Sequence, residues 1–409
     1  MKTVIVQGDG LASRALPELD GQTLLQVANT PNLDEVATQG ELGTLTLPSS
    51  QGISLSSAVV HLSLLGYDPA KYYSGLGPFE AASLEIVLEQ HDMAFLCQFV
   101  TLGASNGRGD DKKLGPSLIL HDEEAGGIDT EDARELIDVA NEQLGSEAIQ
   151  FYTGERHRHV MVWIGCPGRC RCYNPRIARG RTIEPFLPSG KGADVLKELM
   201  EASRILLRRH PVNLDREQEK RSPANCLWLW GPGKAIELPK WNERWSISNM
   251  TLSPSSVHRG VALCAGMNVL NHLDYGGNQS EVFRQYVHRC LTEIQTKDFV
   301  YVHVPMTEIE NTQTIHETIT MIEMFDEQVI EPLLRSLSER GDCRLVIVGS
   351  HAAEDAQDPL RSPTPYAVFS TSQTRHAEAR SSFDEPHAVK GPARDATRML
   401  VRMLAAEAS

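Results

Sequence analysis

The chain has 409 residues, and 39 Lys and Arg residues against 54 Asp and Glu residues give a formal net charge of −15. This length exceeds that of a small disulfide scaffold, and this acidity excludes a nucleic-acid partner bound through a basic surface. With 41% apolar and 23% charged residues, the composition is that of a globular protein with a large core.

The sequence predicts no membrane association. Its apolar runs are of strand length, far below the roughly 20 residues that a helix needs to cross a bilayer. The N-terminus leads directly into a predicted strand, without the apolar region or cleavage site of a signal peptide. We therefore expect a cytoplasmic protein whose eight cysteines are reduced thiols.

Strands and helices alternate in the terminal parts of the chain. The β-branched runs that predict buried strands are residues 4–6, 299–304 and 345–348, and the apolar periodicity predicts helices at 32–39, 56–65 and 313–339. This alternation predicts an α/β fold. Ligands of open α/β sheets bind beyond the carboxyl ends of the strands, so Asp9, Glu308 and His351 are expected to share one crevice.

The middle of the chain differs in texture and is rich in Pro and Gly turns. We interpret residues 107–267 as an inserted domain, with 1–106 and 268–409 forming the outer domain. Further predicted elements are helices at 130–144, 193–207 and 393–406 and an aromatic strand at 226–231.

Two short segments could carry chemistry. Asp9 lies between Gly8 and Gly10 at a strand end, so it is either a ligand for a hard cation or a plain turn aspartate. Ser57 begins a predicted helix, where it is either a nucleophile beside an anion pocket or an ordinary N-cap. His61 follows on the same helical face and is either part of that pocket or a buried core histidine.

A loop in the inserted segment combines thiols and arginines. Cys166, Cys170 and Cys172 are one thiol short of a structural zinc site, which favours a cluster of reduced loop thiols. The arginines of this loop are Arg169, Arg171, Arg176, Arg179 and Arg181. They either meet a phosphate or carboxylate substrate or form a solvated basic loop.

Motifs along nearly the whole chain belong together. They are GDG at 8–10, TPNLD at 30–34, HLSLLGYDP at 61–69, YYSGLGPFEA at 72–81, HPVN at 210–213, PAN at 223–225, WLWG at 228–231 and DFVYVHV at 298–304. In combination they resemble the archaeal-type 2,3-bisphosphoglycerate-independent phosphoglycerate mutases, including bacterial relatives labelled proposed homoserine kinases, in the alkaline phosphatase superfamily. The resemblance implies an alkaline phosphatase-like core sheet flanked by helices, with an inserted α+β domain.

The resemblance also implies an isomerase. A serine takes the phosphoryl group from phosphoglycerate and returns it to the other hydroxyl, while two cations stabilise the entering and leaving oxygens. Carried over by position, it implies Ser57 as the catalytic nucleophile and Asp9, Ser57 and His351 as ligands of one metal. The Asp-His pair of the family reads Ser350-His351 here, so one carboxylate is missing.

The other implied positions are also altered. Of the second metal's ligands only Glu308 remains, because the two imidazole positions hold Thr312 and Pro359. Two positions where the resemblance implies arginines hold Leu76 and Leu96. The implied substrate contacts that are kept are Arg158 and His159.

We therefore expect a phosphomutase-like phosphotransferase with a depleted two-metal site and reduced or altered activity. It would use at most one divalent cation (Mn, Mg or Zn), and its partner would be a small phosphorylated metabolite such as phosphoglycerate. The alternative is a non-catalytic pseudoenzyme that binds a phosphoester or another protein.

Overall fold

The computed structural model describes residues 1–46, 57–104, 114–270, 279–306, 314–351, 364–372 and 381–405; the side chains of 57, 351, 404 and 405 are outside that description. None of the helices in these ranges is long and apolar enough to cross a bilayer. The cytoplasmic location stays a prediction.

The strands, in chain order, are β1 (Lys2–Ala12), β2 (Glu41–Thr46), β3 (Met93–Ala104), β4 (Leu118–Asp122), β5 (Ile149–Glu155), β6 (Arg158–Trp163), β7 (Cys170–Arg171), β8 (Ser189–Gly190), β9 (Cys226–Lys234), β10 (Asn249–Leu252), β11 (Phe299–Pro305), β12 (Cys343–His351), β13 (Thr364–Ser370) and β14 (Ala393–Asp395).

The helices are α1 (Leu24–Val27), α2 (Pro31–Gln39), α3 (Ser57–Leu64), α4 (Pro69–Tyr72), α5 (Gly77–Ser83), α6 (Thr130–Leu144), α7 (Ala193–Leu207), α8 (Pro211–Gln218), α9 (Trp241–Trp245), α10 (Ser256–Cys264), α11 (Gln279–Thr296), α12 (Ile315–Phe325), α13 (Glu331–Ser338), α14 (Glu385–Ala388) and α15 (Ala396–Ala405). The predicted α/β class is confirmed.

The chain divides into two compact units. The first comprises Met1–Tyr73 and Glu237–Ser409, and the second comprises Ser74–Ile236. The sequence predicts boundaries after residues 106 and 267, whereas in the structure the units change after residues 73 and 236. The reason is strand pairing: β3 pairs with β6 and β9 of the second unit, whereas β10 pairs with β11 of the first.

A seven-stranded sheet in the order β10-β11-β1-β12-β13-β2-β14 forms the centre of the first unit. The strands β10, β11, β1 and β12 are parallel, so their carboxyl ends lie at one edge. Successive side chains of a strand point to opposite faces. Val4 and Val6 of β1 therefore lie on the face that joins the apolar core, together with Val300 and Val302 of β11.

The helix predicted at 313–339 is confirmed as a continuous helical run from 315 to 338 that contains one wider turn. It consists of α12 and α13, joined by a π-helical turn at Asp326–Ile330. Pro332, in the first turn of α13, cannot donate a backbone hydrogen bond, and its ring crowds the preceding turn, which the wider turn relieves. The helix predicted at 393–406 also starts late, because residues 393–395 pair with β2 as strand β14.

The buried carboxylate of Asp326 at this turn accepts three hydrogen bonds. They come from the backbone N–H of Leu33 at 2.7 Å and from the backbone and side-chain N–H groups of Asn32 at 3.2 and 2.7 Å, so Asp326 caps the start of α2 from across the core.

Asp326→Ala should lower the free energy of unfolding by about 2–4 kcal/mol, because the buried donors lose a charged acceptor. Urea unfolding measures this. Glu35→Ala, at an exposed site on the same helix, should change it by less than about 0.5 kcal/mol.

The second unit contains a sheet in the order β4-β3-β6-β5, with β9 also paired to β3. Its main pairings are antiparallel, and α6 and α7 bury apolar faces against it. Both helices have the bounds that the sequence predicts, because each has apolar residues at helical spacing. This unit is the predicted α+β insertion.

Candidate active site

Asp9 lies where the parallel strands of the first unit end. The strand register places it beside Pro305 of β11 and Ser350 of β12, and its exposed fraction is 8%. Its Oδ1 accepts a hydrogen bond from Ser350 Oγ at 2.7 Å, and its Oδ2 lies 3.5 Å from His303 Nε2. Asp9 is thus a held carboxylate at the expected edge of the sheet, and not a free turn residue.

Polar side chains continue inward from Asp9 on the same face of the sheet. Gln7 Nε2 donates to Ser350 Oγ at 3.2 Å, and Tyr301 Oη donates to Gln7 Oε1. All of these side chains are buried. Burial raises the pKa of Tyr301 well above its ordinary value, and the nearby charge of Asp9 adds to this. The phenol therefore remains a proton donor.

Three imidazole rings and the Tyr301 phenol ring stack beneath Asp9. The centroid of His303 lies 3.6 Å from that of His258, and the centroid of His61 lies 3.9 Å from that of Tyr301. His61 and His258, which α3 and α10 supply, are 5.4 Å apart with nearly parallel planes. Burial, and then the proximity of His303, lower the pKa of His61 well below its ordinary value.

Parallel stacking decides what these histidines can do. Imidazoles that ligate one metal point their nitrogens toward a common centre, which rings lying face to face do not do. His303 is further oriented by Ser253, whose Oγ lies 3.0 Å from His303 Nδ1. His61 is buried, as its core alternative predicts, but neither ring nitrogen has a hydrogen-bond partner among the described residues.

The structure does not describe the side chains of the other predicted site residues of the first unit. Ser57 is the first residue of α3 and His351 the last of β12, but neither side chain is described. Glu308 lies outside the described residues, as do Thr312 and Pro359. The structure thus joins Asp9 to Ser350, and the roles of Ser57, His351 and Glu308 stay predictions.

Asp9 has the donor chemistry that a divalent cation requires. In the described part of the chain, no three His, Cys, Asp or Glu side chains converge on one point. Asp9 offers a carboxylate of the kind that hard cations prefer. Ser350 is a neutral neighbour whose hydroxyl donates its hydrogen bond to Asp9. Asp9 therefore fits as one ligand of such a cation, and the described residues alone supply no set of three.

In the second unit, His159 is enclosed in the core. Its exposed fraction is 0%, its Nδ1 accepts from the backbone N–H of Gly154 at 3.0 Å, and its ring meets Phe99 edge to face. Arg158, the preceding residue and the first of β6, is half-buried. The substrate contacts predicted for both stay predictions, and the enclosure of His159 supports a packing role for it.

The stability of the second unit should depend on His159 at mildly acidic pH. Burial lowers the pKa of His159 to about 3, against about 6.5 in an unfolded chain. The unfolded state binds the proton more readily, so stability falls as the pH drops below about 6.5, by up to about 1.4 kcal/mol per unit. Urea unfolding at about pH 7 and about pH 5 should show a smaller loss for His159→Gln, which keeps an acceptor but does not titrate. Equal losses in both proteins would show that His159 is not the cause.

Leu76 and Leu96 both lie beside Gly231 in the second unit. Gly231, which has a φ of 60°, lies against both, and a Cβ there would come within 2.6 Å of Leu96 Cδ1 and 3.4 Å of Leu76 Cβ. The two positions that the resemblance assigns to arginines are therefore apolar, and a glycine makes their close packing against it possible.

The arginine loop is largely occupied with contacts inside its own unit. Arg179 Nη1 lies 3.3 Å from Glu123 Oε1 and Arg176 Nε lies 3.8 Å from it. Arg171 and Arg181 stack on Tyr173 and Phe186. These contacts favour a structural role for the loop over a free anion-binding surface.

The thiols of that loop form no metal group with other described residues. Burial, with the neighbouring thiols, raises the pKa of Cys170 to about 11 and that of Cys172 to about 12. Cys170 Sγ donates to the carbonyl of Lys191 at 3.0 Å. All eight cysteines are described, and each is unpaired.

Sequence reasoning missed the residues around Asp9, namely Gln7, Ser253, His258, Tyr301 and His303. A signal was present in the strands. Gln7 and Asp9, and likewise Tyr301 and His303, are polar or hydroxyl-bearing side chains at alternate positions of otherwise apolar runs. Such a period of two inside a buried strand indicates a polar face.

Relatives of the chain share most of its length. A family model described as 2,3-bisphosphoglycerate-independent phosphoglycerate mutase matches residues 37–213. A protein of that name from Methanosarcina barkeri is 33% identical over 396 residues, which cover 96% of both chains. A probable 2,3-bisphosphoglycerate-independent phosphoglycerate mutase from Geobacter sulfurreducens is 32% identical, with 95% of both chains covered.

Two solved structures resemble this protein. The cofactor-independent phosphoglycerate mutase from Thermoplasma acidophilum has a TM-score of 0.57 at 25% identity and matches over 100% of both chains. The PH0037 protein from Pyrococcus horikoshii has a TM-score of 0.72 at 24% identity, with 99% of this chain and 96% of that one covered. The fold is therefore shared.

Proposed function

Because the chain belongs to the family of 2,3-bisphosphoglycerate-independent phosphoglycerate mutases, we propose that it is a phosphotransferase acting on a small phosphorylated metabolite such as phosphoglycerate. The observation that carries this proposal is the placement of Asp9. It is a hydrogen-bonded, partly accessible carboxylate at the carboxyl edge of the parallel sheet. Ligands of α/β folds bind at that edge.

In this proposal Ser57 is the nucleophile. Its Oγ attacks phosphorus and gives up its proton, the bond from phosphorus to the substrate oxygen breaks, and one proton passes to that oxygen, which leaves as an alcohol. The second hydroxyl of the substrate then attacks the phosphoserine and restores the Ser57 hydroxyl. As the first residue of α3, Ser57 lies where unpaired backbone N–H groups attract a phosphoryl group.

We propose further that the cation site is depleted and holds at most one divalent ion, with Asp9 as one ligand and Ser57 and His351 as the others. Such an ion would stabilise charge on the phosphoryl oxygens when bound. The support is chemical. Ser350 occupies the position beside Asp9 where the family resemblance implies a second carboxylate, and a hydroxyl that donates to Asp9 adds no negative charge.

Inorganic phosphate should bind at the start of α3 with an affinity of millimolar order, about −4 kcal/mol. The expected result is a phosphate-dependent shift of the backbone amide signals of Ala58 and Val59 in an NMR titration. Ser57→Asp should abolish the shift through like-charge repulsion, and sodium chloride at equal ionic strength is the control for salt effects.

If phosphate and phosphoglycerate at millimolar concentration both leave these signals unmoved, the phosphotransferase proposal fails. The alternative of a pseudoenzyme that engages another protein then takes its place. Its support is the same substitution of a hydroxyl for a carboxylate at Ser350, together with the apolar pair Leu76 and Leu96.

A further inference from the structure

The hydrogen bonds between Tyr301 and Asp9 form a chain in which each side chain donates to the next one toward Asp9. Tyr301 bonds to Gln7, Gln7 bonds to Ser350, and Ser350 bonds to Asp9 Oδ1. Three of the four side chains are at most 1% exposed, so water does not replace any partner along the chain.

The carboxylate at the end determines the direction. An ionised Asp9 only accepts, so the proton in the 2.7 Å contact belongs to Ser350. A hydroxyl has one proton, so toward Gln7 it must accept, and the NH₂ group of Gln7 faces it. The carbonyl oxygen of Gln7 then faces Tyr301, which must donate.

The opposite orientation of the Gln7 amide fails on the same count. It would turn the carbonyl oxygen of Gln7 toward Ser350 Oγ, and the single Ser350 proton could then serve either Gln7 or Asp9. One close oxygen pair would be left without a proton, which costs the desolvation of a buried acceptor. With the NH₂ group toward Ser350 and the oxygen toward Tyr301, each contact of the chain contains one proton.

We propose that Gln7 and Tyr301 are positioning residues that commit the Ser350 proton to Asp9 Oδ1. The inference rests on the proposed function, because it says how the site carboxylate is prepared. Oδ1 is bound on its inner side, and Oδ2, which lies 3.5 Å from His303 Nε2, is the oxygen left for a cation.

Packing keeps the first donor in place. The Tyr301 ring stacks on His61 with a centroid distance of 3.9 Å and an interplanar angle of 9°. Tyr301→Phe therefore removes only the hydroxyl and leaves the ring contact. This makes it a cleaner probe than a substitution that opens a cavity.

A double-mutant cycle tests the proposal. If Tyr301 acts through Ser350, Tyr301→Phe should lower kcat for phosphoglycerate about tenfold in the wild-type background, the size of effect expected for one hydrogen bond, with KM unchanged. In a Ser350→Ala background the same substitution should change kcat less than about twofold, because coupled residues are not additive. Gln7→Met is a second probe of the same cycle.

A second measurement does not depend on turnover. The ¹³C carboxyl resonance of Asp9, assigned by its loss in Asp9→Ala, should move in Tyr301→Phe but stay in place when Ser350→Ala is already present. Tyr366→Phe is the matched control. Its buried hydroxyl donates to Glu41 at 2.6 Å in the same sheet, outside this chain of bonds, and it should leave the resonance in place.

The two measurements separate the two proposals. Coupling in the Asp9 resonance without any turnover supports the positioning role and contradicts the proposed function. The positioning role is overturned if Tyr301→Phe leaves the Asp9 resonance in place, or if it shifts the resonance equally in both backgrounds. This holds whatever the turnover.

Discussion

Ser57→Ala should reduce phosphoglycerate turnover by at least about a thousandfold, because it removes the atom that accepts the phosphoryl group. The assay follows the conversion of 3-phosphoglycerate to 2-phosphoglycerate by NMR in the presence of manganese. Ser63→Ala is the matched control on the same helix. Its hydroxyl donates to the carbonyl of Val59 at 2.8 Å, so its loss should leave turnover within a few-fold.

Residual turnover in Ser57→Ala equal to that of the wild type would assign the activity to another group or to a contaminating enzyme. A matching fall in Ser63→Ala would instead show that α3 as a whole had been disturbed. Only a loss confined to Ser57 identifies the nucleophile.

The wild-type protein should itself turn over phosphoglycerate at least about a thousandfold more slowly than its relative from Methanosarcina barkeri under the same conditions. Removing one charged contact to a transition state commonly costs about 2–4 kcal/mol, so two losses at the lower value already amount to about a thousandfold. The positions that the resemblance implies to be altered include Ser350, where it implies a carboxylate, and Leu76 and Leu96, where it implies arginines.

Ser350→Asp provides the matching gain-of-function variant. A second carboxylate beside Asp9 should tighten manganese binding by at least about tenfold, because two anionic ligands displace hydration water better than one. Calorimetric titration measures this without reference to turnover. Wild-type rates within about tenfold of the relative would show that other residues have replaced the missing ones.

The fold was largely predictable from local patterns. The apolar runs at 4–6, 299–304 and 345–348 lie inside β1, β11 and β12, because a central parallel strand buries both faces. The ends of the neighbouring strands β1 and β12 meet at one edge, which is why Asp9 and Ser350 are in contact across 341 positions of sequence.

What the sequence did not predict depends on packing between distant elements. The stacking of His61 on Tyr301 requires α3 to cover β11, which no local pattern encodes. The unit boundaries depend on the pairing partners of β3, and a strand of 12 apolar-rich residues pairs equally well in either sheet until its neighbours are known. Pro332 could have indicated the π-helical turn between α12 and α13.

The number of manganese ions bound by the purified protein, compared with Asp9→Ala, tests the central claim most directly. Asp9 is buried and accepts a hydrogen bond from Ser350, so circular dichroism should first establish that Asp9→Ala is folded before its metal content is compared with that of the wild type. We expect at most one equivalent of bound manganese in the wild type and none in Asp9→Ala. Two tightly bound equivalents that persist in a folded Asp9→Ala protein would contradict this expectation.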